Sequence, residues 1–211
     1  MQLYFSPMAC SMATRISFYE AGVDATYTEV DPKTKLTVDG ANFREINPLG
    51  LVPTLRTDDG DILTENAAIL QYVAGQLPQA QLAPTGGREL SHLQQWLCFI
   101  GTELHKGLYS PLLDPKAPEA AKAYALEKGQ SRLDLLEKHL TGREYLLDRF
   151  SIADAYLVVV LGWSVVTPIK LEKWPALAAY VERVRARPAV QKAMTEERQL
   201  YAKEMARHKQ S

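Results

Sequence analysis

Residues 3–22 read LYFSPMACSMATRISFYEAG, and the interpretation of this stretch decides the fold. A short apolar run, Leu3 to Phe5, is cut by Ser6-Pro7 and gives way to a helical pattern over 11–21, with Ile16 and Phe18 among small residues. Gly22 stands where a helix C-terminal cap belongs, because glycine enters the left-handed region without a Cβ clash. A strand, a turn and a helix follow one another, with Cys10 at the junction. The alternation continues. TYTEV at 26–30 is β-branched and aromatic and predicts a second strand. Residues 31–45 are polar and turn-rich, with a short helix expected over ANFRE. NPLG at 47–50 marks a turn, VPTLR a strand, and DDG at 58–60 a hairpin into DIL at 61–63. In TENAAILQYVAGQL, Ala68, Ile69, Tyr72, Val73 and Leu77 recur at helical spacing. The order β-α-β-α-β-β-α within about eighty residues predicts an α/β domain, a small mixed sheet with helices on its faces in a thioredoxin-like arrangement.

The character changes after a stretch rich in proline and glycine. Residues 79–88 read as a linker. ELSHLQQWLCFIGTELHKGL then places Leu90, Leu93, Leu97, Ile100, Leu104 and Leu108 on one stripe, which predicts a long amphipathic helix. Pro111, Pro115 and Pro118 are expected to break it. A helix over roughly 119–140 has Tyr124, Leu133, Leu136 and Leu140 as inward candidates. Residues 151–166 are apolar nearly all round and predict a helix buried on every side. WPALAAYVERVRARP and PAVQKAM begin two more helices. The expected division is 1–78 as the α/β domain, 79–88 as the linker, 89–201 as an all-helical domain, and 202–211 as a polar tail that frays.

Bulk properties exclude several function classes. The chain has 211 residues, 46% hydrophobic and 23% charged, with a net charge of −1. That is ordinary globular composition, and nothing in it points to a nucleic-acid or membrane partner. No signal-peptide pattern opens the sequence, and AYLVVVLGW is too short to span a bilayer. A soluble cytoplasmic protein is expected. Two cysteines, Cys10 and Cys98, cannot make a disulfide framework and are expected to be reduced there.

Four features carry chemistry. Cys10 lies at a helix N-terminus, where the helix dipole favours a thiolate; a buried structural cysteine is the competing interpretation. Residues 7 and 13 are Pro and Ala, so Cys10 has no Cys-x-x-Cys partner. In GLVPT, Pro53 is either a cis-proline, as in thioredoxin-like domains, or a trans edge-strand proline. With Pro53 in cis, Val52 offers its backbone to an extended peptide. Glu65 and Asn66 open a helix, where either can cap it or receive a ligand's charged end. His105 lies one position off the apolar stripe of the long helix. A histidine there is more often packed or exposed than catalytic. No metal site is expected, because His92, His105, His139 and His208 lack ligand spacing with the cysteines. Ser151 and Asp154 in SIADAYL predict a capping box that anchors the buried helix.

Taken together, LYFSPMACS, NPLGLVPTL, LTENAAILQYVA, LQQWL, TELHKG, YLL, SIADAYL and RPAVQKA resemble the cytosolic glutathione transferases, in particular the bacterial beta class. The resemblance covers nearly the whole chain. It implies the glutathione transferase fold, a thioredoxin-like N-terminal domain and an all-α C-terminal domain, as a homodimer. It implies glutathione as co-substrate, with no metal, and a hydrophobic electrophile as second substrate. By the same resemblance Cys10 faces the glutathione sulfur, with Ser11 assisting and His105 near the sulfur. Lys35, Val52, Pro53, Glu65 and Asn66 match glutathione-binding positions, as do Thr102, Glu103 and His105. Position 66 is variable in the family, which carries Gly or Asn there; the pattern departs at Cys98, where the family carries Asn and where cysteine is the poorer hydrogen bonder. The expected activity is glutathione transfer. The alternatives are glutathione-dependent thiol–disulfide exchange and a non-catalytic binding protein on the same fold.

Overall fold

A computed structural model describes residues 1–210; Ser211, the last residue of the expected tail, lies outside the described residues. The chain divides into two compact units. The first comprises Met1–Leu82 and the segment from Pro188 onward, the second Ala83–Arg187.

The first unit is built on a four-stranded sheet. Strands β1 (Gln2–Phe5), β2 (Thr26–Glu29), β3 (Thr54–Arg56) and β4 (Ile62–Thr64) lie in the order β2-β1-β3-β4. β1 runs parallel to β2, with Leu3 opposite Tyr27, and antiparallel to β3, with Leu3 opposite Leu55; β3 and β4 form the expected hairpin. Helices α1 (Met12–Ala21) and α2 (Asn66–Gln76) complete the α/β pattern. Alternation along β1 sends Leu3 and Phe5 into one core with Phe18, Leu55, Ile69 and Val73, and Tyr4 to the opposite face with Val30 and Phe43. Gly22 ends α1 at φ 65°, and its N–H reaches the Phe18 and Tyr19 carbonyls. ANFRE forms only a single 3₁₀ turn, Phe43–Glu45.

The second unit is helical. It contains α3 (Gly87–Phe99), a widened π-helical segment (Ile100–Tyr109), α4 (Ser110–Leu113), α5 (Glu119–Leu140), α6 (Ile152–Gly162) and α7 (Pro175–Arg185). The long amphipathic helix therefore changes register at residue 100 and continues past Pro111. At Ser110 the N–H still bonds the His105 carbonyl five residues back. The ordinary register restarts there, so Pro111 falls in a first helical turn, where its missing N–H is tolerated. The chain leaves the helix at Asp114.

Leu133, Leu136 and Leu140 are buried as expected, but Tyr124 is exposed, at the start of α5. Ile152 to Leu161 are buried without exception. Val165 and Val166, expected to continue that buried helix, lie in a 3₁₀ turn and are exposed. The Ser151–Asp154 capping box is present. Asp154 is also a hub, accepting from Leu146 N–H at 2.9 Å and from the Tyr180 hydroxyl at 2.9 Å.

Helix α8 (Pro188–Gln210) departs from the expected division. It groups with the first unit rather than the helical one, and Leu200 packs against the sheet core. Residues 202–210 do not fray. They continue the helix, Glu204 is buried, and Arg207 and His208 pair with Glu29 and Asp31. A tail read as polar by composition is held through specific side-chain contacts.

Candidate functional site

In the first unit the chain around Cys10 is held from four directions. Cys10 lies in the turn before α1 and is 7% exposed; neither cysteine is in a disulfide. Its Sγ is 3.5 Å from the Val52 carbonyl oxygen, and the Val52–Pro53 bond is cis. Asn66, the first residue of α2, donates from Nδ2 to the Cys10 carbonyl at 3.2 Å and accepts from Thr14 Oγ1 at 3.3 Å. Asn66 thus uses its side chain on the Cys10 turn. Glu65, in the N-cap position, makes no side-chain cap to the helix, against the capping role open to it in sequence. Its carboxylate is exposed, and its backbone sits at φ 65°, an uncommon conformation for a non-glycine residue that concentrates at ligand sites.

Ser11 is fully buried, and its hydroxyl donates to the Ser6 carbonyl at 3.3 Å; it braces the turn. Met8, two residues before Cys10, has φ 62°. Its N–H donates to Glu197 Oε2 of α8 at 2.8 Å. Glu197 Oε1 lies 3.0 Å from Arg15 Nε, and the Arg15 guanidinium stacks 4.3 Å from the Phe5 ring centroid and 4.1 Å from that of Tyr27. Burial pushes the Glu197 carboxyl up to about 7, against the pull of Arg15 and the Met8 amide. Lys35 also has positive φ, 61°, and its stem runs along Gly50, where a Cβ would meet Lys35 Cδ at 3.2 Å. Burial lowers the Lys35 pKa, as does neighbouring Arg44.

In the second unit the π-helical segment carries Thr102, Glu103 and His105. The three differ in surroundings. Thr102 is exposed, and its hydroxyl donates to the Cys98 carbonyl at 2.9 Å. Glu103 is paired with Arg132, Nε to Oε2 at 2.8 Å. His105 Nδ1 is 2.8 Å from the Tyr156 hydroxyl of α6, and its ring lies 5.0 Å from that of Trp163. Burial, reinforced by Lys106, drives its pKa down to about 4. The imidazole is therefore neutral near pH 7. The 2.8 Å contact between Nδ1 and the phenol fits either tautomer of the neutral ring. Cys98 is exposed, one helical turn before Thr102.

Cys10, Val52 and Asn66 are thus brought into direct contact, with Glu65 next to Asn66 in the chain. Glu197, Arg15 and Tyr156 escaped sequence reasoning. Glu197 lies in a charged stretch of the last helix, Arg15 is a single basic residue among small and apolar residues, and neither carries a local sign of its buried partner; Tyr156 reads as one more apolar residue of a buried helix. Among the described residues no helix is long and apolar enough to cross a membrane, and no group of three His, Cys, Asp or Glu side chains is placed to hold a metal.

The family models for the glutathione S-transferase N-terminal domain and C-terminal domain match residues 7–76 and 94–188 respectively. Glutathione S-transferase GstA of Escherichia coli O157:H7 is 39% identical over 199 residues, covering 93% of this chain and 98% of the relative. A sphingomonad glutathione S-transferase solved in complex with glutathione superposes with a TM-score of 0.89 at 42% identity, over 93% of this chain and 98% of that one. The bacterial beta-class glutathione S-transferase of Sphingomonas chungbukensis gives a TM-score of 0.89 at 40% identity, with the same coverage.

Proposed function

The chain belongs to the glutathione S-transferase family, and from that premise we propose that it binds glutathione beside Cys10 and transfers it to hydrophobic electrophiles. The observation that carries the site is the Cys10 turn: a thiol at the mouth of α1, its Sγ 3.5 Å from the carbonyl that precedes a cis-proline. The Val52 backbone offers its N–H and C=O to the peptide of glutathione as an added strand would. Glu65 accepts the amino group of the γ-glutamyl end, while the α2 N-terminus attracts the carboxylate beside it. Lys35 supplies a cation for the carboxylate at the other end. The glutathione sulfur then faces Cys10 at the N-terminal end of α1, where the helix dipole favours a thiolate.

His105 acts as hydrogen-bond donor or proton relay, with its ring positioned by the Tyr156 hydroxyl. Thr102 and Glu103 belong to the same binding segment in the family pattern, and Ser11 assists through the turn it braces. The cytoplasm, a homodimer, and detoxification of apolar electrophiles complete the reading.

Mass spectrometry after incubation with oxidised glutathione tests it. The Cys10 thiolate attacks one sulfur, forms a mixed disulfide, and releases the other glutathione as a thiolate. Because Cys98 is exposed, the measurement uses Cys98→Ser. One adduct on Cys10 is expected. No adduct, together with no glutathione binding by calorimetry, overturns the proposal. Cys10→Ala is expected to lose the adduct yet keep conjugation, since bound glutathione supplies its own sulfur.

A further inference from the structure

Asp31 heads the turn that carries Lys35. Its Oδ1 accepts the backbone N–H groups of Lys33 and Thr34 at 2.8 and 2.9 Å. Its carbonyl accepts the Lys35 N–H at 3.0 Å, and its own N–H closes the turn on the Leu36 carbonyl at 2.9 Å. This network holds Lys35 in a left-handed conformation that lysine rarely adopts unaided. The second carboxylate oxygen, Oδ2, is 2.6 Å from Nε2 of His208, on the last turn of α8. The His208 side chain is only 9% exposed, and Glu204 Oε1 stands 4.0 Å from its Nδ1. The preceding residue, Arg207, pairs with Glu29 at the end of β2. Two successive residues of α8 therefore grip the end of a strand and the turn that follows it.

We propose that His208 is a positioning residue for glutathione binding: by holding Asp31 Oδ2 it fixes the 31–36 turn in the conformation that presents Lys35 to a carboxylate of glutathione. This rests on the assignment of Lys35 given above. His208 does not touch the ligand. It occupies the one carboxylate oxygen of Asp31 that the turn's own amides leave over, and so keeps Asp31 from rotating toward water and releasing Lys33 and Thr34. The ammonium of Lys35 is then aimed before the ligand arrives, which lowers the ordering cost of binding.

Steady-state kinetics on the full chain, with an activated aryl halide as electrophile, provide the test. His208→Ala raises the KM for glutathione about fivefold, with a smaller change in kcat. His208→Gln keeps an N–H donor and restores the KM to within about twofold of the parent. His208→Asn, whose shorter amide falls short of Asp31, replaces the alanine variant if that one does not fold. In a Lys35→Ala background, His208→Ala adds nothing to the KM, as expected of residues that act in series. A raised KM in Lys35→Ala with no change in His208→Ala, or two effects that simply add, overturns the proposal and leaves the Lys35 assignment standing. An unchanged KM in Lys35→Ala removes that assignment and the proposal with it.

Discussion

Glu197 and His105 are both driven toward the neutral state by burial, one in each unit, yet their surroundings are opposite in kind. Glu197 sits in a polar lattice drawn from distant parts of the chain: the Met8 amide, the Arg15 guanidinium and α8 itself. His105 sits against aromatic rings, with one phenol as its polar contact at Nδ1. The pH dependences are opposite as well. Glu197 rises from its ordinary 4.5 to about 7, so between those values the folded chain keeps a proton that the unfolded chain has released. Its contribution to stability is full below pH 4.5 and is lost as pH rises through 7. His105 falls from 6.5 to about 4, so the unfolded chain takes the proton first. Its contribution is full above pH 6.5 and is lost as pH falls toward 4. A thiol-bearing turn is thus held by charge and hydrogen bonds, whereas the histidine is held by aromatic rings and one phenol.

The largest test of this contrast is Glu197→Ala. It removes the acceptor of the Met8 amide and leaves the buried Arg15 with the half-exposed Glu196 and the Tyr19 hydroxyl. A loss of about 3–5 kcal/mol in urea unfolding is expected. A loss below about 1 kcal/mol would show that the lattice is not what holds the Cys10 turn.

Next in size is a pair of glycines, one in each unit. At Gly129 of α5 a Cβ would overlap Leu108 of the π-helical segment, with Cδ2 at 2.9 Å. Gly129→Ala is expected to destabilise by about 1–3 kcal/mol of overpacking, less a helix-propensity gain of about 1 kcal/mol. At Gly75 of α2 nothing lies within 4 Å, and Gly75→Ala is expected to stabilise by up to about 1 kcal/mol. Thermal melts of the two variants moving in the same direction would erase the packing difference.

The smallest effect is spectroscopic. The His105 ring, followed by NMR, is expected to titrate with a midpoint near 4, and Tyr156→Phe, which removes the partner of Nδ1, is expected to cost about 1 kcal/mol. A midpoint near 6.5 in the parent chain would mean that burial does not hold the ring neutral.

Much of this was legible in residue order. Leu3, Tyr4 and Phe5 alternate, Gly22 stops a helix, and DDG turns a hairpin; each is a local event decided within a few residues. Cys10, Pro53 and Glu65 stand out as candidates in the sequence because strand-to-helix junctions and X-Pro turns announce themselves. The π-helical register was not legible, because Leu104 and Leu108 fit a periodicity of 3.6 well enough to mask a widened turn. Tyr124 misled because an aromatic residue on an amphipathic helix was assigned inward by type, whereas it lies near the start of α5, where it is exposed.

The placement of α8 shows where the boundary falls. The sequence by itself determined that a helix begins at Pro188 and that the residues after it are polar and charged, since helix propensity and proline at a first turn act locally. Only the tertiary structure decided that Glu197 is buried against Arg15, that His208 meets Asp31, and that this last helix joins the sheet rather than the other helices. Those outcomes depend on pairs more than 170 positions apart. A charged side chain carries no local signal that separates water from a buried partner.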